Sequence, residues 1–579
     1  MAIERIPGSF HVLIVLSIIF AVVVSFSCVR RAEPADMVLL NGKIVTVDDD
    51  RPEAEAVAIR GDIIVAVGKN SDIRLYVDQK TNVIDLKGKL AIPGFIEGHA
   101  HFMSLGHSKM RPDLSKARNW VETVAIIEEA ASQAQLGEWI LAKGWHQEKW
   151  NEIPSPNIDG LPYHDALSKI SPDNPVLLSH ASGHSYIANA KAMEMAGITR
   201  ETSDPEGGEI VRDSAGNPIG VFRETAMDSL YGAFKKSEKT RTPEQIEAER
   251  RRIIELAARE CLSHGITTFH DAGSSFEIID LYKQLVAEDM LGIRLWVMIG
   301  ENNEQLKKHL ARYKIVAMGD NRLTVRAIKR SIDGALGSHG AWLLEPYDDL
   351  PNSTGLNTET IEDLKETARL AIENGFQLCT HAIGDRGNLE TLNIYEEMFR
   401  TFPENGDLRW RIEHAQHLHP DDIPRFGQMN VIASMQGSHA TSDGPWVIKR
   451  LGEKRAGEGA YVWQKLMKSG AMVANGTDAP VEDVNPLTSF YASVTRKLID
   501  GTIFYPDQKM TRQEALRSYT INNAYAAFEE DIKGSITVGK LADITVLSGD
   551  IMTIPDEEIL DTEVLYTIVG GKIMYHKDF

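Results

Sequence analysis

Apolar and polar residues alternate along this chain with two different periods, and the change from one to the other divides it. Near the start, Met37 to Val47 and Ala56 to Val67 have the period of two expected of short strands, with hairpin signals at Asn41-Gly42 and Gly61-Asp62. Near the end, Gly534 to Leu547 and Val564 to Met574 repeat that pattern. Neither segment can bury a core alone, so 37–88 and 534–579 are expected to form one composite β-sandwich. Between them, short apolar runs alternate with amphipathic segments of helical period. The runs at 95–102, 266–272, 293–299, 325–331, 376–382, 410–415, 430–436 and 472–478 predict strands. The segments between them predict helices: Thr360 to Asn374 places Ile361, Leu364, Ala368 and Ile372 on one face and ends at Gly375. Eight such units over 89–533 predict a closed (β/α)₈ TIM barrel of the α/β class rather than an open doubly wound sheet.

One connection departs from this rhythm. The stretch 104–240, after the first barrel strand, is far longer than a crossover needs, and it carries its own strand from Val176 and a hairpin from Glu209 to Phe222. An insertion leaving the C-terminal end of a barrel strand is expected over the catalytic face, as a lid that shapes substrate choice. Its residues Trp120, Trp139, Trp145 and Trp150 have a packing reading beside a substrate-stacking one.

Composition narrows the classes of function. Of 579 residues, 43% are hydrophobic and 25% charged, which excludes a disordered chain. A formal charge of -21 excludes nucleic acid and anionic membrane surfaces as partners. The uncharged run Val12 to Val24 is too short for a membrane span and fits a signal peptide over 1–28. Ser27-Cys28 resembles a lipoprotein cleavage junction that would leave a lipidated Cys28. Ser25 and Phe26 are unusual before such a cysteine, which leaves open ordinary cleavage nearby or an uncleaved anchor. The expectation is an exported lipoprotein facing the periplasm or cell exterior, touching the membrane only through this anchor; self-association into a homo-oligomer stays open. Cys261, on a helix opening at Thr242-Pro243, and Cys379, within a strand, read as core packing. Any metal must therefore be held by nitrogen and oxygen.

The ends of the predicted strands supply both. His99 and His101 are two residues apart on one strand and so share a face. Such a pair is weak evidence alone, but Lys329, His381, His414 and Asp478 stand at the ends of four other strands and would face the same mouth. Each has a plain alternative: Lys329 a buried cation paired with Asp333, Asp478 a turn or helix cap, His381 and His414 satisfied core histidines.

Seven segments together resemble the amidohydrolase superfamily, within its family 3 branch of YtcJ-like and N-substituted formamide deformylase-like proteins. They are Pro93 to His101, Gly265 to Asp271, Lys329 with Asp333 to Ser338, His381 to Asp385, Glu413 to Gln416, Gly476 to Asp478, and Gly539 to Val546. The likeness runs from about residue 37 to the end. Two positions depart from it: His339 stands where the family usually has arginine after Gly-Ser, and Glu97 where it has aspartate.

The resemblance implies a centre of one or two divalent ions held by His99, His101, Lys329, His381, His414 and Asp478. Lys329 would be carboxylated by CO₂, so that a cation becomes a bridging anionic ligand; desolvation favours the neutral amine this needs. Metal-bound hydroxide would attack the substrate carbonyl, and Asp478 would pass its proton to the leaving amine. Imidazole-rich ligation suggests Zn²⁺, with Mn²⁺ or Fe²⁺ open. His184, Trp145 and His339 are candidate substrate contacts, and His180 another. The expected activity is hydrolysis of a non-peptide carbon-nitrogen bond in a small N-acyl or N-formyl amide. Ester or lactone hydrolysis, decarboxylation on the same centre, or a metal-holding extracytoplasmic ligand-binding protein without catalysis stay open.

Overall fold

The computed structural model describes residues 32–147, 150–180, 185–205, 208–239, 241–337, 339–355 and 357–577. The signal-peptide reading of 1–28, Cys28 included, lies outside the described residues, as does His184. Among the described residues no helix is long and apolar enough to cross a membrane.

Eight strands form the barrel: Phe95–Ala100, Ile266–Ser274, Arg294–Ile299, Leu323–Ser331, Gln377–Ala382, Arg411–His414, Ile432–Gln436 and Val473–Gly476. Each pairs in parallel with its neighbours in that order. The seam between the eighth and the first is bridged by backbone bonds from Asp478 N to His99 O (2.7 Å) and from His101 N to Ala479 O (2.8 Å). Alternation explains why these runs are apolar throughout. On the third strand, Leu295, Val297 and Ile299 pack outward in the main core, while Trp296 and Met298 turn inward with Ala327 and Cys379. Cys261 and Cys379 are free and buried, in keeping with packing.

The connecting helices end where their sequences direct. Helix Ile361–Asn374 is capped by the Thr360 side chain and closes on Gly375 at φ +67°, a conformation glycine adopts without strain. Helix Pro243–Ser263 opens on a capping box of Thr242 and Gln245 and buries Ile253, Ala257 and Cys261.

The two chain ends share one core, in which Leu39, Val57 and Ile84 meet Ile544, Val546 and Leu565. A four-stranded sheet holds 37–40, 56–60, 63–68 and 82–85, and a six-stranded sheet combines 43–45, 53–54 and 90–93 with 544–547, 564–569 and 572–576. Strand Leu90–Pro93 pairs with Ile544–Leu547, so this unit extends past residue 88. The turn at Gly61-Asp62 is a hairpin, as expected. Asn41-Gly42 is not: Asn41, at φ +55°, carries the chain from one sheet into the other. A buried ion pair ties this unit to the barrel floor, with Arg294 Nε and Nη2 donating to Asp543 at 2.7 and 3.0 Å.

The insertion builds a five-stranded sheet in the order 208–212, 218–224, 185–188, 176–180, 140–145, around cores of its own.

Candidate metal centre

Side chains at the C-terminal ends of barrel strands converge on one mouth. His99 is the penultimate residue of the first strand, with His101 just past its end; Lys329 is near the end of the fourth, and His381 is penultimate in the fifth. His414 ends the sixth, and Asp478 follows the eighth by two residues. His414 and Asp478 have φ of +72° and +59°. Such left-handed backbone costs non-glycine residues about 1–3 kcal/mol each and persists where the surroundings enforce it, commonly at functional sites.

The six side chains meet. Lys329 Nζ is 3.4 Å from His99 Nε2. Asp478 Oδ1 lies 3.6 Å from His99 Nε2 and 3.3 Å from His101 Nε2. The His414 ring centre is 4.8 Å from that of His99 and 4.4 Å from that of His381. Ligand-type atoms of His99, His414 and Asp478 all fall within 4.8 Å of one another.

A second layer fixes which atoms face inward. Glu413 Oε2 takes His99 Nδ1 at 2.5 Å, and Gln436 Oε1 takes His414 Nδ1 at 2.8 Å, leaving the Nε2 atoms for the mouth. Arg411 pairs with Glu413 at 2.7 Å. Burial would raise Glu413, but the charges of Arg411 and His99 hold it well below the usual carboxylate range. Asp333 accepts backbone N–H groups of Trp342, Ile383 and Gly384 and lies 3.5 Å from His381 Nε2; burial pushes it up to about 7. Glu97 accepts from His99 N, Thr477 N and Thr477 Oγ1, so it stitches the seam where the shorter aspartate was expected. Burial raises it to about 8.

The electrostatics favour neutral donors. Burial and the Lys329 charge lower His99 to about 4 and His381 to about 3, and burial holds His414 well below its usual value. Burial also lowers Lys329. For Asp478 burial acts upward, yet the His101 ring 3.3 Å away and the neighbouring imidazoles keep it well below the carboxylate range. The donor set suits a divalent ion: neutral imidazoles and an ionised carboxylate stand together, and buried His381 Nε2 and Asp478 Oδ1 have no hydrogen-bond partner.

Above them lies a cleft of about 870 Å³ lined by His101, Lys329, His381, His414 and Asp478, with His99 buried beneath. Among the described residues none of its wall comes from 104–240. The loop after the fourth strand supplies Leu336 and Gly337, and helix Gly437–Gly459 supplies His439, Asp443 and Trp446.

The candidate substrate contacts fare differently from the ligand set. Trp145 is 1% exposed in the insertion core, its indole N–H donating to Leu178 O at 3.0 Å, so it packs there and is not on the cleft wall. His180 packs on it, with ring centres 4.5 Å apart. His339 turns to Asp349, 3.1 Å away, and stacks edge-on against Tyr347; it too is absent from the wall. Sequence reasoning missed His439, which is 7% exposed, lines the cleft, and has a buried Nε2 without a partner. Its signal was its place three residues past the seventh strand, the same rule that gave the other six. Asp271 is structural, accepting from Phe102 N, Ser274 Oγ and Tyr282 OH.

Comparison with known proteins agrees with this arrangement. The profile of the amidohydrolase family matches residues 82–575. The YtcJ protein of Bacillus subtilis is 31% identical, covering 93% of this chain and 98% of its own. The N-substituted formamide deformylase of Arthrobacter pascens is 26% identical, covering 94% and 98%. The crystal structure of a metal-dependent hydrolase from Pyrococcus horikoshii superposes with a TM-score of 0.69 at 25% identity, covering 90% of this chain and 99% of that one. The chain belongs to the amidohydrolase family and is a hydrolase acting on carbon-nitrogen bonds.

Proposed function

We propose that this enzyme hydrolyses a small N-acyl or N-formyl amide at a divalent metal centre held by His99, His101, Lys329, His381, His414 and Asp478. The observation that carries this is the convergence of these side chains from five strands, with buried His381 Nε2 and Asp478 Oδ1 left without partners. A divalent ion there supplies a Lewis acid and makes water a competent nucleophile near neutral pH. Zn²⁺ suits the imidazole-rich donors best.

The chain's own residues supply orientation and proton transfer. Glu413 and Gln436 hold His99 and His414 so that each presents Nε2. Lys329 is half-buried and shifted toward its neutral form, the form whose Nζ adds to CO₂ to give a carboxylated lysine. Asp478, beside His101 and ionised, accepts a proton from the nucleophile and delivers it to the amine nitrogen, which must leave protonated. This proton carrier favours catalysis over mere ligand capture.

The test is metal analysis of the purified protein followed by release assays over N-acyl, N-formyl, carbamate and lactone compounds. Asp478→Asn is expected to keep most of the metal and lose at least about 100-fold in kcat. Near wild-type turnover in that variant contradicts the assignment. We also infer export as a lipoprotein from the apolar run before Cys28. Fatty-acid labelling of cells that is lost in Cys28→Ser supports this, and labelling indifferent to that change refutes it.

A further inference from the structure

Outside the proposed ligand set, the cleft wall is acidic and offers no spare cation. Glu301, Asp443 and Glu482 line it, and among the described residues none of the three is ion-paired. Glu301 Oε1 accepts from Phe276 N at 3.0 Å, and Asp443 Oδ2 accepts from Gln416 Nε2 at 3.0 Å and Tyr461 OH at 2.5 Å, so neutral donors orient both, while burial raises Asp443. Both cations of the described wall are committed. Lys329 Nζ sits against His99, and Arg330 donates to the Glu301 carbonyl at 3.0 Å while pairing with Glu359. The same wall holds the apolar groups Leu336, Ile383, Trp446 and Val481. His439 independently marks this region as a place for a ligand, since the residue lines the cavity and its buried Nε2 has no partner of its own.

A carboxylate held against this outer wall, away from the proposed metal centre, loses water, meets Glu301 and Glu482 without a paired cation and gains no guanidinium or ammonium in return. An apolar substituent gains the Trp446 face, and an ammonium gains Glu482. We propose that the cleft selects amides whose groups flanking the scissile bond are neutral or cationic, with Glu482 acting as a charge filter. The substrate class is then an N-acylated amine rather than an N-acylated amino acid. This rests on the hydrolase reading above and adds a selection rule to it.

The test uses two isosteric probes that differ in charge, N-formylphenylalaninamide and N-formylphenylalanine. Their kcat/KM is measured on the metal-loaded full-length enzyme, and their Kd by calorimetry on metal-loaded Asp478→Asn. The amide is expected to exceed the acid at least tenfold in both readouts. Glu482→Lys should narrow the gap severalfold, chiefly by improving the acid, and Glu482→Gln should narrow it less. An acid handled as well as the amide, or a gap that Glu482→Lys leaves unmoved, overturns the proposal. If neither probe is hydrolysed yet the amide binds tenfold tighter and Glu482→Lys narrows the difference, the charge filter stands and the hydrolase reading falls. If both are hydrolysed equally, the filter falls and the hydrolase reading stands. Absence of both binding and turnover overturns the two together.

Discussion

Glu413 touches no part of the cleft, yet it settles which nitrogen of His99 can face an ion. Neutral imidazole has one donor and one acceptor nitrogen, and the 2.5 Å contact fixes Nδ1 as the donor. Replacing Glu413 by glutamine keeps the shape but removes the charge that Arg411 and His99 share. Glu413→Gln is therefore expected to weaken metal affinity by about 10–100-fold, as measured by competition with a chromophoric chelator. Unchanged affinity would show that His99 needs no such partner. The residue scale is also where the sequence was least legible. His99, His101, Lys329, His381, His414 and Asp478 could be read because each follows an apolar run. Glu413 and Gln436 matter through contacts 314 and 22 residues away in the chain, and no local pattern announces those contacts, although Glu413 opens one of the segments that carry the resemblance. Trp145 was misjudged for a related reason: whether an indole N–H faces substrate or Leu178 O depends on which strand lies beside it.

At the scale of elements, strands and helices were legible because burial on both faces demands continuous apolar runs and because caps punctuate them. The run at 293–299 became Arg294–Ile299, and the expected start at Thr360 is the cap of helix Ile361–Asn374. Asn41-Gly42 was misread since the same dipeptide serves a hairpin and a crossing between sheets, and only the pairing partners tell them apart. The lid expectation rested on topology alone; the described cleft walls come from the loop after the fourth strand, the helix after the seventh and neighbouring strand-end loops. The join between barrel and composite sheet carries a pH prediction. Burial acts to raise Asp543, but the Arg294 charge and hydrogen bonds hold it below its ordinary value. A carboxylate depressed in the folded state contributes stability above its unfolded pKa of about 3.9 and loses it as pH falls through the lower folded value. Asp543→Asn leaves Arg294 buried and is expected to cost about 3–5 kcal/mol at pH 7. In denaturant melts across pH, its deficit against wild type should begin to close only below about pH 4. A deficit that is constant down to pH 2 would contradict the assignment.

For the whole molecule, the barrel collects side chains from distant segments at one mouth, and the composite sheet and insertion frame that barrel. A chain of net charge -21 with an acidic cleft wall suits neutral or cationic small molecules over polyanions. Whether this mouth holds a divalent ion is the claim on which the proposed chemistry depends. The most direct measurement is anomalous diffraction at the metal edge from crystals of the natively purified protein. The account predicts one or two anomalous peaks about 2.0–2.2 Å from ligand atoms of His99, His101, His381, His414 and Asp478. A metal-replete preparation with no peak at this rim, or with the ion bound elsewhere on the chain, would contradict it.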